Sequence, residues 1–555
     1  MSEIIIVLIL FIVCNSFKAL YLYVEMGLGF HLLLLHVISS LGFTTIFVLA
    51  TLKRRRRILF VSWYLLHTFI LFINTNYYEF YGKFLHLSSV YIFMPEIISL
   101  LKHFDVPLDI NDLIFIVDLP LFLYLLNKHV MKELSRRKIN IIIKSSAVIT
   151  LPAMVMLLIV PVYNYEHTEK LVDYDIVSRF GIIGHNLFDL VKPAVNITSR
   201  IKYGHKITSA GIPGQRPNII LIQIESLDSN IVNYRYLGKF VTPFLHDLAS
   251  KSLYFPFTLC YRKLGGTSDC EIAVNNSIEP PEDYALIMFD NYDYPNSVVK
   301  VLKKNGYKAE AFHGNVGAFY RRFYAYNTMG YDYFFDCNRM RLEKIGWGAP
   351  DQEVMNYVEN HLHDLKTPFF VYIITVSSHE PFNLFKHFAP DSRFERVKPE
   401  LTRRYFSAIA YTDRVVGKFI TNIQKKYPDT YFFLYGDHTP YVINKGPFRR
   451  SVLNKNEEEE MEMVPLFIIT PKGEIHYEHD AVASYLDIAP TILHIAGVPY
   501  NYRSLGVDLL ANKALQQPVI YRGKPYNRSE LFQEMSETYR DLWDNEQSGG
   551  KRGQP

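Results

Sequence analysis

Cysteine is scarce: the 555 residues hold four, Cys14, Cys260, Cys270 and Cys337, and none stands in a C-x-x-C pair. That scarcity excludes a small disulfide scaffold and removes the zinc-ribbon and thioredoxin-like patterns. An excess of one charge sign is missing too. With 59 Lys and Arg against 55 Asp and Glu, the formal net charge of +4 argues against a nucleic-acid partner. At 49% hydrophobic and 21% charged, the chain is not a disordered polar polymer either. Its length exceeds that of one ordinary domain, and a mean hydropathy of +0.03 suggests an average over two unlike parts.

Long apolar runs are absent after about residue 165 and frequent before it. Five runs, at 4–24, 29–52, 58–73, 112–126 and 141–162, read as membrane spans, two of them short for ~30 Å of hydrocarbon. The first follows Met-Ser-Glu with no basic stretch and no small-residue cleavage site, so it reads as a retained helix. Lys53-Arg54-Arg55-Arg56-Arg57 separates the second and third runs; Lys128, Lys132, Arg136, Arg137 and Lys138 separate the fourth and fifth. Both basic loops predict the cytoplasmic side, with the N-terminus inside and everything after about Pro161 outside. Between the third and fourth runs, the aromatic patch from Tyr77 to Leu85 and an interrupted apolar stretch, 87–101, predict an outer-surface helix or re-entrant piece. Asp118 reads either as a polar headgroup site or as a carboxylate near the end of a short span.

Residues 164–217 read as a juxtamembrane linker with an amphipathic patch at 182–191. From Asn218, short apolar runs alternate with helical stretches. Strands are predicted at 219–224, 308–312, 369–376, 431–435 and 466–469, and helices at 242–250, 297–305, 401–425 and 481–495. Such alternation predicts an α/β domain with a mostly parallel central sheet, whose active site would lie at the carboxyl ends of the strands. Polar residues gather there: Glu225-Ser226, His313-Gly314-Asn315, Ser377-Ser378-His379-Glu380 and Gly436-Asp437-His438-Thr439. Oxygen and imidazole donors from several strand ends suit a divalent cation. A nucleophile is offered by Gly265-Gly266-Thr267-Ser268-Asp269-Cys270-Glu271, where a hydroxyl would open a helix beside the cation.

Taken with Val241-Thr242-Pro243-Phe244-Leu245, Phe312-His313-Gly314-Asn315, Ser378-His379-Glu380-Pro381-Phe382 and Tyr435-Gly436-Asp437-His438-Thr439, the chain resembles the lipoteichoic acid synthase group of phosphoglycerol transferases, within the alkaline phosphatase and sulfatase superfamily. The resemblance runs over roughly 218–510, and the five preceding runs and the aromatic patch fit it. It implies that Glu225, Thr267, Asp437 and His438 hold one divalent cation, manganese first, with magnesium or zinc next. Thr267 would be the nucleophile, and Arg322, Tyr320, His313, Asn315 and His379 would contact the substrate phosphate and headgroup. Tyr320 stands where the group usually has tryptophan, and Trp347-Gly348 matches less closely. No Cys/Ser-x-Pro-x-Arg stretch surrounds Thr267, which argues against sulfate-ester hydrolysis. In an oxidising compartment, two of Cys260, Cys270 and Cys337 would form a bridge.

The expectation is therefore an N-terminal five-helix transmembrane domain, 1–163, the linker, an extracytoplasmic sulfatase-like domain, 218–515, and a flexible tail, 516–555. The predicted activity moves phosphoglycerol from phosphatidylglycerol, through a phosphothreonine, to an envelope glycan or glycolipid. A phosphoethanolamine transferase is the alternative within the superfamily, and a non-catalytic membrane receptor the alternative outside it.

Overall fold

The computed structural model describes residues 13–21 and 23, 56–81, 110–130, 185–186 and, with short gaps, 201–549. Two compact units emerge, Met1–Val195 and Asn196–Pro555.

In the first unit, α1 spans Arg56–Tyr81, and a 3-10 turn, Ile110–Phe115, precedes α2, Leu119–Val130. The third expected span is thus one continuous helix, whereas the fourth is broken near Asp118. The second and fifth spans, the stretch 87–101 and most of the patch at 182–191 lie outside the described residues. Among the described residues, no helix is long and apolar enough to cross a membrane. The packing has an unusual polarity. Lys18 is 1% exposed and meets Asp118 at 3.0 Å, Tyr64 Oη at 2.7 Å and Thr68 Oγ1 at 3.0 Å. Asn15, His67, Asn74 and Thr75 are buried too, while Phe17, Leu65, Leu66, Phe69, Ile116 and Val117 face outward.

The second unit is built on a nine-stranded sheet. Its labelled strands are β1 (Asn218–Ile224), β2 (Leu253–Leu259), β3 (Lys308–His313), β4 (Tyr333–Phe335), β5 (Phe369–Ile374), β6 (Thr430–Gly436), β7 (Met463–Ile469) and β8 (Tyr477–Glu478). They lie in the order β8-β2-β7-β6-β1-β5-β3-β4. β6, β1, β5, β3 and β4 are mutually parallel, as expected. β1 and β5 are buried along their whole length, which is why both read as unbroken apolar runs. β7 is antiparallel to both β6 and β2, so two reversals return β2 to the direction of the parallel block. The loop after β2 therefore opens on the same edge of the sheet as the ends of β1, β3, β5 and β6.

Helices cover the sheet: α3 (Thr267–Asn276), α4 (Arg322–Met329), α5 (Asp351–His361), α6 (Glu400–Lys426) and α7 (Ile488–Ala496). α6 lays Tyr405, Phe406, Ile409, Val416, Phe419, Ile420 and Ile423 into the core. That spacing is the 3.6-residue stripe expected of an amphipathic helix. α7 is shorter than predicted, because Ala483–Ser484 pairs with the end of β2 and the Ser484 side chain caps a 3-10 turn at Tyr485–Asp487. Residues 516–549, expected to be a flexible tail, instead form a hairpin, Val519–Tyr521 with Lys524–Tyr526, and helix α8, Arg528–Gly549. Arg528 anchors this segment. It is 1% exposed and binds Asp487 with Nη1 at 2.7 Å and Nη2 at 2.9 Å, while Leu531 and Met535 are buried beside it.

Candidate active site

Three of the four expected cation ligands directly follow carboxyl ends of strands, and the fourth, Thr267, opens helix α3. Glu225 follows β1, Asp437 and His438 follow β6, and the three offer ligand atoms within 4.8 Å of one another, all buried. His438 Nε2 lies 3.1 Å from Glu225 Oε1 and 3.5 Å from Asp437 Oδ2. The other ring nitrogen, Nδ1, donates to the Thr439 carbonyl at 2.8 Å, which orients Nε2 inward. Thr439 is in turn held by Glu462, which accepts its N–H at 2.6 Å and its hydroxyl at 2.8 Å. Ser226 N–H donates to Asp437 Oδ1 at 2.8 Å, but Asp437 Oδ2 is buried without a hydrogen-bond partner among the described residues.

That orphaned oxygen, set among a second carboxylate and an imidazole, fits a divalent cation held by mixed oxygen and nitrogen donors. Burial pushes the Asp437 carboxyl well up, and the charge of Glu225 adds to the effect. Burial pushes Glu225 in the same direction, yet His379 and His438 outweigh it and hold that group below the usual carboxylate range. Two close carboxylates resist sharing negative charge, a conflict that a cation would relieve.

Thr267 is the first residue of α3 and is half-buried, with Oγ1 donating to Glu225 Oε2 at 3.4 Å. The turn before it needs its two glycines. Gly266 has φ +58°, and a Cβ at Gly265 would lie 2.2 Å from Asp269 Oδ1. Asp269 braces this turn by accepting the Lys263 N–H at 2.8 Å. Helix α3 therefore starts with the positive end of its dipole and the Thr267 hydroxyl beside the acidic cluster, an arrangement suited to an incoming anion.

Arg322 opens α4 at 2% exposure and is bound to Glu271 of α3. Tyr320 and Arg321 both adopt left-handed backbone, φ +56° and +52°. Such strain persists only where surrounding structure enforces it. The Tyr320 hydroxyl lies 3.5 Å from where a Gly266 Cβ would stand, so its ring flanks the nucleophile turn. His313, last residue of β3, donates Nδ1–H to the Ile374 carbonyl at 3.0 Å. Burial, reinforced by Arg322, pushes the ring pKa down to about 3. His379 is half-buried and donates Nδ1–H to the Glu380 carbonyl at 2.6 Å, leaving Nε2 to accept. Trp347 lies against it, ring centroids 4.2 Å apart, and Phe319 stands edge-on to Trp347. Asn315 does not present a free amide oxygen, for Oδ1 accepts from Val316 N at 2.7 Å and from Lys344 Nζ at 2.8 Å.

The cysteines do not form the expected bridge: all four are free. Cys260 and Cys270, with sulfurs 3.9 Å apart, each donate to the Asp437 carbonyl at 3.0 Å. Cys337 is buried with its sulfur near Asn338.

Several side chains that shape the site were not singled out from the sequence. Glu271 holds Arg322, and Glu462 holds Thr439 beside His438. Asp351, at the start of α5, accepts Val376 N–H at 2.8 Å and so fixes the loop that carries His379. Glu271 lay within the quoted nucleophile stretch, four residues after Thr267, and that helical interval was the available signal.

A family model described as Sulfatase matches residues 217–498, which include every residue of this site. This chain belongs to the sulfatase family. A second model, the lipoteichoic acid synthase N-terminal domain, matches residues 1–201. Lipoteichoic acid synthase 2 of Bacillus subtilis (strain 168) is 31% identical over 313 residues, 53% of this chain and 47% of that protein. Lipoteichoic acid synthase of Staphylococcus aureus (strain USA300) is 25% identical over 503 residues, 84% of this chain and 76% of that protein. The chain spans about half the length of the first curated relatives it matches, 47% and 48%. Among solved structures, the integral membrane protein lipooligosaccharide phosphoethanolamine transferase A from Neisseria meningitidis has a TM-score of 0.53 at 13% identity, covering 87% of this chain and 95% of that one. That likeness is one of fold. The chain is thus a lipoteichoic acid synthase-like member of the alkaline phosphatase and sulfatase superfamily.

Proposed function

We propose that the chain is a membrane phosphotransferase that moves a phosphoglycerol headgroup from phosphatidylglycerol to an envelope glycan or glycolipid, by way of Thr267. The observation that carries this reading is the accessible Thr267 hydroxyl, 3.4 Å from Glu225 and at the start of a helix, beside buried Asp437 and His438. Glu225, Asp437, His438 and Thr267 would hold a divalent cation, manganese by resemblance, which when bound stabilises charge on phosphoryl oxygens and lowers the pKa of a nearby hydroxyl.

The remaining chemistry falls to side chains. Thr267 Oγ1 attacks phosphorus, the bond to the diacylglycerol oxygen breaks, and an acceptor hydroxyl later displaces the threonine oxygen. Arg322 donates to the phosphate, with Nη1 free for it. His313 and His379, both held toward the neutral form by burial, present Nε2 acceptors to hydroxyl groups rather than added positive charge. Such acceptors suit a glycerol headgroup. Phe319, Tyr320 and Trp347 wall the site.

The inverted polarity of the first unit supports a membrane setting, since polar groups without water turn inward and apolar ones turn toward lipid. The five-span topology, with the catalytic unit outside the cytoplasmic membrane, completes the proposal. Mass spectrometry of the intact protein after incubation with phosphatidylglycerol and manganese tests it. A phosphoglycerol adduct that disappears in Thr267→Ala is the expected result. An adduct formed only from phosphatidylethanolamine would transfer the assignment to the ethanolamine alternative, and no adduct from either lipid would remove the covalent mechanism.

A further inference from the structure

Helix α3 carries Thr267 as its first residue and Glu271 four positions later. Residues spaced by four share a helix face, so nucleophile and carboxylate sit on one rigid element. Glu271 is fully buried. Its carboxylate grips Arg322 through Nε, 3.2 Å from either oxygen, and through Nη2 at 2.6 Å. The Tyr326 hydroxyl, four residues along α4 from Arg322, donates to Glu271 Oε2 at 2.6 Å. Two of the three guanidinium nitrogens are thereby committed. The third, Nη1, is buried and has no hydrogen-bond partner among the described residues.

An unmet buried donor of this kind is costly, more so when the group is charged, and a bound acceptor relieves that cost. The surroundings indicate which acceptor. The Arg322 guanidinium lies 5.2 Å from the Tyr320 ring, whose hydroxyl flanks the turn before Thr267, and after burial its charge is the next cause of the lowered pKa of His313. Glu271 also offsets the charge of the arginine. What remains is a directional donor, suited to the oxygen of a phosphate ester.

We infer that Glu271 is a positioning residue, clamping Arg322 at Nε and Nη2 so that Nη1 alone meets the phosphate held at Thr267. The inference rests on the phosphotransfer reading above and deepens it. Because the clamp belongs to the same helix as the nucleophile, the distance from attacking oxygen to phosphate donor is set by helix geometry, not by a loop. Glu271→Gln keeps the shape, but an amide cannot accept at both positions, so one grip is lost and Nη1 swings away. Tyr326→Phe removes a single bond to the clamp and acts in the same direction more weakly.

Calorimetric titration of inorganic phosphate into the manganese-loaded full chain in detergent is the test. Expected are wild-type binding, at least a tenfold loss of phosphate affinity in Glu271→Gln and a two- to fivefold loss in Tyr326→Phe, with manganese affinity unchanged in both. Unchanged phosphate affinity in folded Glu271→Gln would reduce the pair to a structural role and overturn the inference. Tighter binding would overturn it too, showing that the carboxylate attenuates the arginine instead of aiming it. If Glu271→Gln does not fold, Tyr326→Phe decides, with wild-type affinity counting against the clamp. A wild-type chain that binds no phosphate would also overturn it. Failure of the phosphotransfer reading has another signature, the absence of an adduct on Thr267 in a chain that still binds phosphate.

Discussion

Among the described residues, the two units differ in what they bury and what they expose. In the catalytic unit, strands such as Asn218–Ile224 and Phe369–Ile374 are wholly buried, and buried charges are paired, Arg322 with Glu271 and Arg528 with Asp487. In the N-terminal unit, Lys18, Asn15, His67 and Asn74 occupy the interior, while Phe17 at 63% exposure and Val117 at 71% point outward. The same chemistry obeys the same rule in both: polar groups go where partners are. What differs is the surface each unit presents, and under the proposed membrane setting that difference is one of solvent, water for the second and hydrocarbon for the first. The Arg322–Glu271 pair lies beside the candidate active site, whereas Lys18 with Asp118 joins two segments far apart in the sequence, a tie that would matter most if those segments meet in lipid.

The comparison can be broken or sharpened by experiment, beginning with the largest effect. Thr267→Ala should lower donor cleavage by at least about a thousandfold, roughly 4 kcal/mol in barrier, while leaving the thermal midpoint of both units near wild type; turnover close to wild type would remove this residue as nucleophile. Lys18→Met should cost the N-terminal unit up to about 3 kcal/mol, since it leaves the half-buried Asp118 without its partner. In Lys18→Met with Asp118→Leu most of that loss should return, and thermal unfolding in detergent reads both. Equal destabilisation of single and double variants would contradict the pairing. Leu66→Asp places charge on the outward face. If that face meets lipid, the substitution should cost roughly 2.5–3.5 kcal/mol and reduce membrane-inserted protein. If it meets water, extraction and yield should not change, and the contrast between the units would collapse.

The smallest effect is one of pH and is confined to the catalytic unit. His313 has a folded pKa of about 3 against 6.5 ordinarily. Between these values the unfolded chain holds a proton that the folded one does not, so acid favours unfolding. This group alone should make the unit about 2 kcal/mol less stable at pH 5 than at pH 7, and His313→Gln should flatten that part of the profile. A variant with the wild-type slope would assign the acid sensitivity elsewhere.

Parts of this arrangement were readable from the chain alone, for physical reasons. Parallel strands buried on both faces are continuous apolar runs, and the fold places function at their carboxyl ends, so Glu225, His313, His379, Asp437 and His438 stood out by position. β2 was not legible because Pro256 interrupts it, and a proline lacks the amide that a ladder needs. The sheet accommodates this with a register shift between Val464 and Leu466 of β7, where Pro465 also falls. Glu462 and Asp351 were hidden differently. An isolated acid in sequence resembles any solvated surface residue, and its meaning depends on a partner brought near only by folding, as with Glu462 and Thr439 or Asp351 and Val376. The C-terminal helix was misread for the same reason, since its polar composition concealed the buried contact of Arg528.

That contact bears on how the protein could be cut. Asp487 receives Arg528 and also accepts the Val507 N–H at 2.8 Å, next to the start of α7. A protease acting beyond Met535 would trim helix α8 and spare the pairing. Cleavage between Tyr526 and Arg528, if the fragment left, would strand a buried carboxylate at a cost of about 3–5 kcal/mol, a large share of a domain's net stability. The lifetime of the catalytic unit would then be set at a hairpin far along the chain from Thr267, and a nick there would act as an off-switch.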